Sequence, residues 1–264
     1  MVAELSGSMI KTAAQRIQAA RFARELGLVA AAYMAYEIVR SVSAGRTLDA
    51  FENAEVVVRI EQALGIFAEL NVQVAFLGYS AVVQVLSLWY FWGHFPLIIV
   101  FAVWAFYRHR TDYNWARSAF FAAGGIALIV YVTFPVAPPR LLPGAGFVDT
   151  LRNVFALQYD DSSLVNQYAA VPSMHQGFAL IVGVTLLRIV GGRRGVLLLI
   201  AVPAIMFFSV VATGNHWFLD AILGLLAAGF AMFAATQLER HGQRLKALLR
   251  CRFPSCSRVS VTRT

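Results

Sequence analysis

Long apolar runs constrain this chain more than any other feature. Val196–Ala212 carries no charged residue, and Phe218–Ala235 is interrupted only by Asp220. Each approaches the ~20 residues that an α-helix needs to cross the hydrocarbon core of a bilayer. The composition agrees, with 59% hydrophobic and 14% charged residues, against roughly half and a quarter in an ordinary soluble domain. Mean hydropathy is +0.66. One soluble core in 264 residues cannot hide that excess, so the chain reads as an all-α, polytopic integral membrane protein.

Apolar segments fall at about 26–43, 73–107, 118–136, 172–190, 196–213 and 216–238. The second is too long for one simple crossing, and charge decides how to count it. Residues 1–25 hold four basic and two acidic groups, and the tail from Glu239 holds seven basic residues and one acid. Arg108, Arg110 and Arg117 outweigh Asp112 in one connection, and Arg188, Arg193 and Arg194 dominate another. The connections 40–70 and 137–171 are net acidic. Basic groups collect on the cytoplasmic side. That parity holds only if 73–107 crosses once, over roughly 83–107 with a kink at Pro96. The expectation is therefore a six-transmembrane-helix bundle over 26–238 with both termini cytoplasmic. Residues 49–80 then form an amphipathic or partly re-entrant helical segment on the outer face.

The first 25 residues are polar and amphipathic and do not read as a cleavable signal peptide. Residues 239–264 form a basic cytoplasmic tail that suits anionic lipid headgroups. Its Cys251 and Cys256 resemble neither a disulfide framework nor a zinc site. No nucleic-acid partner is expected. Only Lys11 and Lys246 are lysines, an Arg bias that points to a GC-rich, bacterial genome and so to a bacterial plasma membrane.

Ionisable residues at membrane depth are costly and mark function. Here they gather at one side of the bilayer, on three distant strings: Phe134–Arg140, ending Pro-Pro-Arg; Tyr168–Gly177, containing Pro172-Ser173-Met174-His175; and Thr213–Asp220, containing His216 and Asp220. His216 and Asp220 stand four apart, on one face of a helix. A carboxylate on one imidazole nitrogen leaves the other a better nucleophile or base; the plain alternative is a helix-start histidine held by a structural carboxylate. Pro172 suits the first turn of a helix, and free amides there bind phosphate. Ser173 is either a further phosphate donor or simply the helix cap. Arg140, stiffened by Pro138 and Pro139, is either a phosphate clamp or an arginine snorkelling at the interface. His94, His109 and His241 lie within the membrane or toward its cytoplasmic side and receive no catalytic role. Glu37 is placed to pair with Arg40. Trp89, Tyr90, Phe91 and Trp92 suit an interfacial aromatic belt, with the lining of a lipid access path as the second reading.

Pro-Ser-x-His, followed roughly forty residues later by His-x-x-x-Asp and preceded by Pro-Pro-Arg, resembles the type 2 phosphatidic acid phosphatase superfamily. The strings Phe134–Pro143, Tyr168–Gly177 and Asn215–Gly224 are similar to its inositolphosphoryltransferase branch, which includes inositol phosphorylceramide synthase. The similarity spans roughly residues 49–238. Thr133 stands where the superfamily pattern has lysine, Val210 where it has arginine, and Met174 where it has glycine. The missing cations weigh against a generic lipid phosphatase. Arg152, Gln167 and Asn215 are the polar residues nearest the motifs that could replace them.

The resemblance implies metal-independent double displacement with no cofactor. His216 would attack phosphorus in a lipid phosphate or phosphodiester and form a phosphohistidine. Asp220 would orient His216, and His175 would exchange the proton with the leaving and entering oxygens. Arg140 and Ser173 would bind the phosphate. The acceptor is an alcohol such as inositol, or water in a lipid phosphate phosphatase. Competing readings are a serine hydrolase using Ser173, His216 and Asp220, a haem or metal protein using His175 and His216, and a transporter or scaffold without catalysis.

Overall fold

The computed structural model describes residues 2–155 and 166–252, so Asp160, Asp161, Cys256 and the end of the basic tail lie outside the described residues. Among the described residues ten α-helices follow in order. They are α1 (Val2–Ala44), α2 (Thr47–Leu64), α3 (Glu69–Leu77), α4 (Ser80–Leu88), α5 (His94–Arg108), α6 (Arg110–Thr133), α7 (Thr150–Phe155), α8 (Met174–Val190), α9 (Gly192–Ala212) and α10 (Phe218–Arg252). A π-helical turn, Trp89–Gly93, joins α4 to α5, and a 3-10 turn covers Pro139–Leu141. Among the described residues the extended backbone amounts to one isolated parallel bridge, Val136 with Ala169.

Among the described residues four stretches are long and apolar enough to cross a membrane: Ser80–Arg108, Arg110–Thr133, Gly192–Ala212 and Phe218–Leu245. The first is α4 and α5 running through the π turn, so the segment 73–107 supplies one such stretch. Its irregularity falls before Pro96 rather than at it. Proline offers no amide to the carbonyl four residues back, and the preceding turn widens into a π-helix around that gap. The apolar helix α8 is shorter, at 17 residues. Helices α2 and α3 pass the same test only as a pair, and they are bent by 95° at their junction. The sequence-derived span at 26–43 is the second half of the long helix α1, where Glu37 and Arg40 pair at 2.7 Å.

The interior is built from small residues. Ala116, Ala119, Ala123 and Ala127 line the face of α6 that meets Ile181 of α8 and Ala228, Ala231 and Ala235 of α10. Lipid is as apolar as leucine, so helices in a bilayer associate through close packing of small side chains. The large side chains accordingly face outward: Leu197, Ile200, Leu226, Phe230 and Phe233 are all exposed. Helices α8 and α9 form an antiparallel hairpin about Gly191, in which Gly183 lies against Leu199 and Gly195 against Leu187. Polar contacts close the end where α6 begins and α8 ends. Asp112 and Glu239 both bind Arg188, and Glu25 of α1 receives Arg24 and Arg117. Burial pushes the Glu25 carboxyl up, but its hydrogen bonds to the two arginines outweigh that and hold it below its ordinary value.

At the opposite end the amino termini of α8 and α10 touch. The Ser173 amide donates to the Asp220 carbonyl at 3.0 Å. A Cβ at Gly224 would come within 2.1 Å of the Ser173 carbonyl oxygen, and one at Gly177 within 2.8 Å of the Gly224 carbonyl oxygen. No side chain fits there. Gly224→Ala is therefore expected to abolish the folded, active protein in detergent. Gly229→Ala, one turn on and with no atom within 4 Å of the added Cβ, should unfold at the wild-type temperature or up to about 1 kcal/mol more stably, because alanine is the better helix former.

Candidate active site

The contact between α8 and α10 brings the two strings that carry histidine together. The His175 and His216 ring centroids are 5.8 Å apart. Nδ1 of His216 lies 3.0 Å from the Ala170 carbonyl oxygen and 3.3 Å from Oδ2 of Asp220. A carbonyl can only accept, so Nδ1 carries the hydrogen and the lone pair resides on Nε2. The sequence pairs His216 with Asp220; the closer partner, Ala170, comes from a backbone stretch that Val136 straightens through the bridge at Ala169. Asp220 also accepts from the Trp217 amide at 2.9 Å, which fixes the carboxylate against the loop.

Ser173 caps α8, its Oγ accepting from the Gln176 amide at a long 3.4 Å. Helix α8 thus starts at Met174, and Pro172 precedes the cap rather than occupying the first turn. Ser173 is fully buried, and among the described residues no hydrogen bond joins it to His216. A serine nucleophile needs that bond to its base.

Arg140 is no snorkelling arginine, since its side chain is 2% exposed. Its Nε donates to Oδ1 of Asn215 at 2.9 Å and its Nη1 to Oδ2 of Asp149 at 3.0 Å. Its own amide donates to the Gly214 carbonyl at 2.9 Å. The Pro-Pro-Arg string is thereby fastened to the loop that presents His216. Of the polar neighbours flagged in the sequence, Asn215 joins this network, whereas Arg152 is exposed on α7. Val210 is wholly buried, and its carbonyl accepts the Asn215 and His216 amides. Thr133 returns its hydroxyl to the Ile129 carbonyl.

Three further residues are legible only in three dimensions. Glu61 of α2 and Glu69 of α3 are fully buried and reach the start of α10. Glu61 Oε1 accepts from the Leu219 amide at 2.6 Å, and Glu69 Oε1 from the Phe218 amide at 2.8 Å. With Asp220 on Trp217, three carboxylates cover three consecutive amides of that helix start. Those three amides are therefore already bonded within the protein and are not donors for an anionic substrate, despite the general attraction of helix amino termini for phosphate. The start of α8 has no acidic residue in its first turn; Ser173 accepts from its Gln176 and Gly177 amides.

The third residue is His94. It was assigned no role from the sequence, yet its ring lies 5.3 Å from that of His175. Tyr90 stacks on the His175 ring at 4.4 Å, and Phe95 meets the same ring edge-on at 5.2 Å. Tyr90 is buried and is not part of an interfacial belt, whereas Trp92 is exposed. Helix rise alone places His94 and His175 at one depth. At 1.5 Å per residue, His94 stands about 21 Å above the end of α5 and His175 about 22 Å above the end of α8. Those two ends are the basic connections that the charge pattern already set on one side.

Glu61→Ala should lower stability by about 1–3 kcal/mol, the cost of leaving a buried amide unpaired, read as the thermal unfolding midpoint in detergent. Glu61→Gln keeps an acceptor oxygen and should stay close to wild type.

No group of three or more His, Cys, Asp or Glu side chains is arranged to hold a metal ion among the described residues. A family model described as the PAP2 superfamily matches residues 55–234, which include every residue of this site. No curated protein and no solved structure matches the chain.

Proposed function

The chain belongs to the PAP2 superfamily. It is thus a membrane enzyme of the phosphatase or phosphotransferase type, acting on phosphate esters. From that premise we propose that it works on a lipid phosphate or phosphodiester and transfers the phosphoryl-containing group to an alcohol such as inositol. His216 Nε2 attacks phosphorus, the P–O bond to the leaving alcohol breaks, and His175 gives that oxygen its proton. His175 then takes the proton of the entering hydroxyl, whose oxygen displaces His216. Asp220 and the Ala170 carbonyl hold the imidazole and stabilise its cationic form. Arg140, Ser173 and the first-turn amides of α8 bind the phosphate oxygens. The observation that carries this reading is His216 with Nδ1 held by Ala170 and Asp220 beside a second, half-buried histidine.

The same reading includes a topology. Helices α1, α4–α5, α6, α8, α9 and α10 cross the membrane as six spans, with the bent pair α2–α3 on the outer face and both termini in the cytoplasm. The basic connections and tail support it, since they fall at the end of the bundle away from His175 and His216. The site then opens to the outer face of a bacterial plasma membrane. Water as acceptor would make the protein a lipid phosphate phosphatase. The bound state of Arg140 favours the transferase, because a guanidinium already held by Asn215 and Asp149 has less to offer a dianionic monoester.

The test is phosphate release and headgroup exchange by purified protein in detergent, with and without inositol. Exchange that requires inositol and falls at least a thousandfold in His216→Ala is the expected result. Exchange or hydrolysis that survives this substitution would remove His216 as nucleophile, and release of free phosphate alone would make water the acceptor.

A further inference from the structure

His94 is the one histidine within ring contact of His175 that the phosphotransfer scheme leaves unused. It is 4% exposed, and its Nε2 is buried without a hydrogen-bond partner. A buried polar nitrogen left unpaired opposes folding, so its retention calls for a ligand that fills the bond. The local backbone is shaped to present it: the π turn Trp89–Gly93 ends directly before His94, and single π turns within α-helices commonly mark functional sites. Trp89, at the start of that turn, packs under Gly93 and fixes its shape.

Position decides what His94 would hold. Its ring is 5.3 Å from His175 and tilted by 34°, and its Nε2 makes no hydrogen bond to the His175 imidazole. His216 contacts His175 at 5.8 Å, and among the described residues no ring contact joins His94 to His216, so the two reach His175 separately. In an in-line displacement the nucleophile and the leaving oxygen stand on opposite sides of phosphorus. The group next to His175 and away from His216 is therefore the oxygen that leaves and, in the second step, the oxygen that enters.

We infer that His94 donates an Nε2–H hydrogen bond to the leaving and entering alcohol oxygen, completing with His175 a two-histidine subsite for the alcohol. This rests on the proposed use of His216 and His175. No proton is transferred by His94: the P–O electron pair passes to the alcohol oxygen, the proton comes from His175, and the hydrogen bond from His94 stabilises the negative charge as it develops.

The test separates leaving groups. Wild type, His94→Leu, His94→Gln and His216→Ala are assayed in detergent with inositol present as acceptor, with phosphatidate, whose alkoxide needs stabilisation, and with p-nitrophenyl phosphate, whose phenolate does not. His94→Leu should lose about a hundredfold in kcat/KM on phosphatidate and less than about fivefold on p-nitrophenyl phosphate. His94→Gln, which returns an N–H near the Nε2 position, should recover most of the loss. Equal losses on both substrates, or none on either, would overturn the assignment, as would failure of glutamine to rescue a selective loss. His216→Ala distinguishes the two claims. If it abolishes both reactions while His94→Leu shows no selectivity, only the His94 inference fails; if it spares both, the histidine mechanism fails with it.

Discussion

The site depends on one close approach, that of the amino ends of α8 and α10. The Ser173 amide bonds to the Asp220 carbonyl, and Gly224 admits the Ser173 carbonyl where a methyl group could not fit. That contact sets the distance between His175 and His216, which come from strings roughly forty residues apart in the chain. Everything else at this end of the bundle reinforces it. Arg140 ties the Pro-Pro-Arg turn to Gly214 and Asn215, and the Ala170 carbonyl, held in place by the Val136 backbone, sets the tautomer of His216.

The carboxylates of Glu61, Glu69 and Asp220 solve a problem that the membrane creates. A helix that begins inside the protein exposes several amides with no acceptor, and lipid supplies none. The bent pair α2–α3 supplies two acceptors from a segment distant in sequence, and Asp220 supplies the third from within the helix. The consequence for chemistry is a division of labour between two helix starts. That of α10 is filled by the protein's own carboxyl groups and carries the histidine. That of α8 is left without acidic caps, where positive ends of backbone dipoles face the phosphate in the proposed reaction.

The membrane character, the helical class and the three strings of polar residues were legible in the sequence because each is a local signal. Apolar runs report spans, and His216 with Asp220 reports one helical face. Four of the expected spans correspond to helices that are long and apolar enough to cross. The pairing of Glu37 with Arg40 was legible for the same local reason. What could not be read is what depends on three-dimensional closure. Glu61 looks like one acid among several on an amphipathic helix, and nothing near it in sequence announces Leu219. Ala170 contributes a carbonyl, which every residue has. Tyr90 and His94 sit in an aromatic stretch that reads equally well as a lipid-facing belt. Only their common depth with His175, reached through the π turn, turns them inward.

The central claim concerns which atom of which residue carries the phosphoryl group. Rapid acid-free quenching of wild type during turnover, followed by phosphorus NMR and peptide mapping of the trapped enzyme, reads that atom directly. With Nδ1 of His216 committed to Ala170 and Asp220, the account predicts an acid-labile phosphoramidate on Nε2 of His216. A phosphoryl group on Nδ1, on His175, or as an acid-stable ester on Ser173 would contradict it.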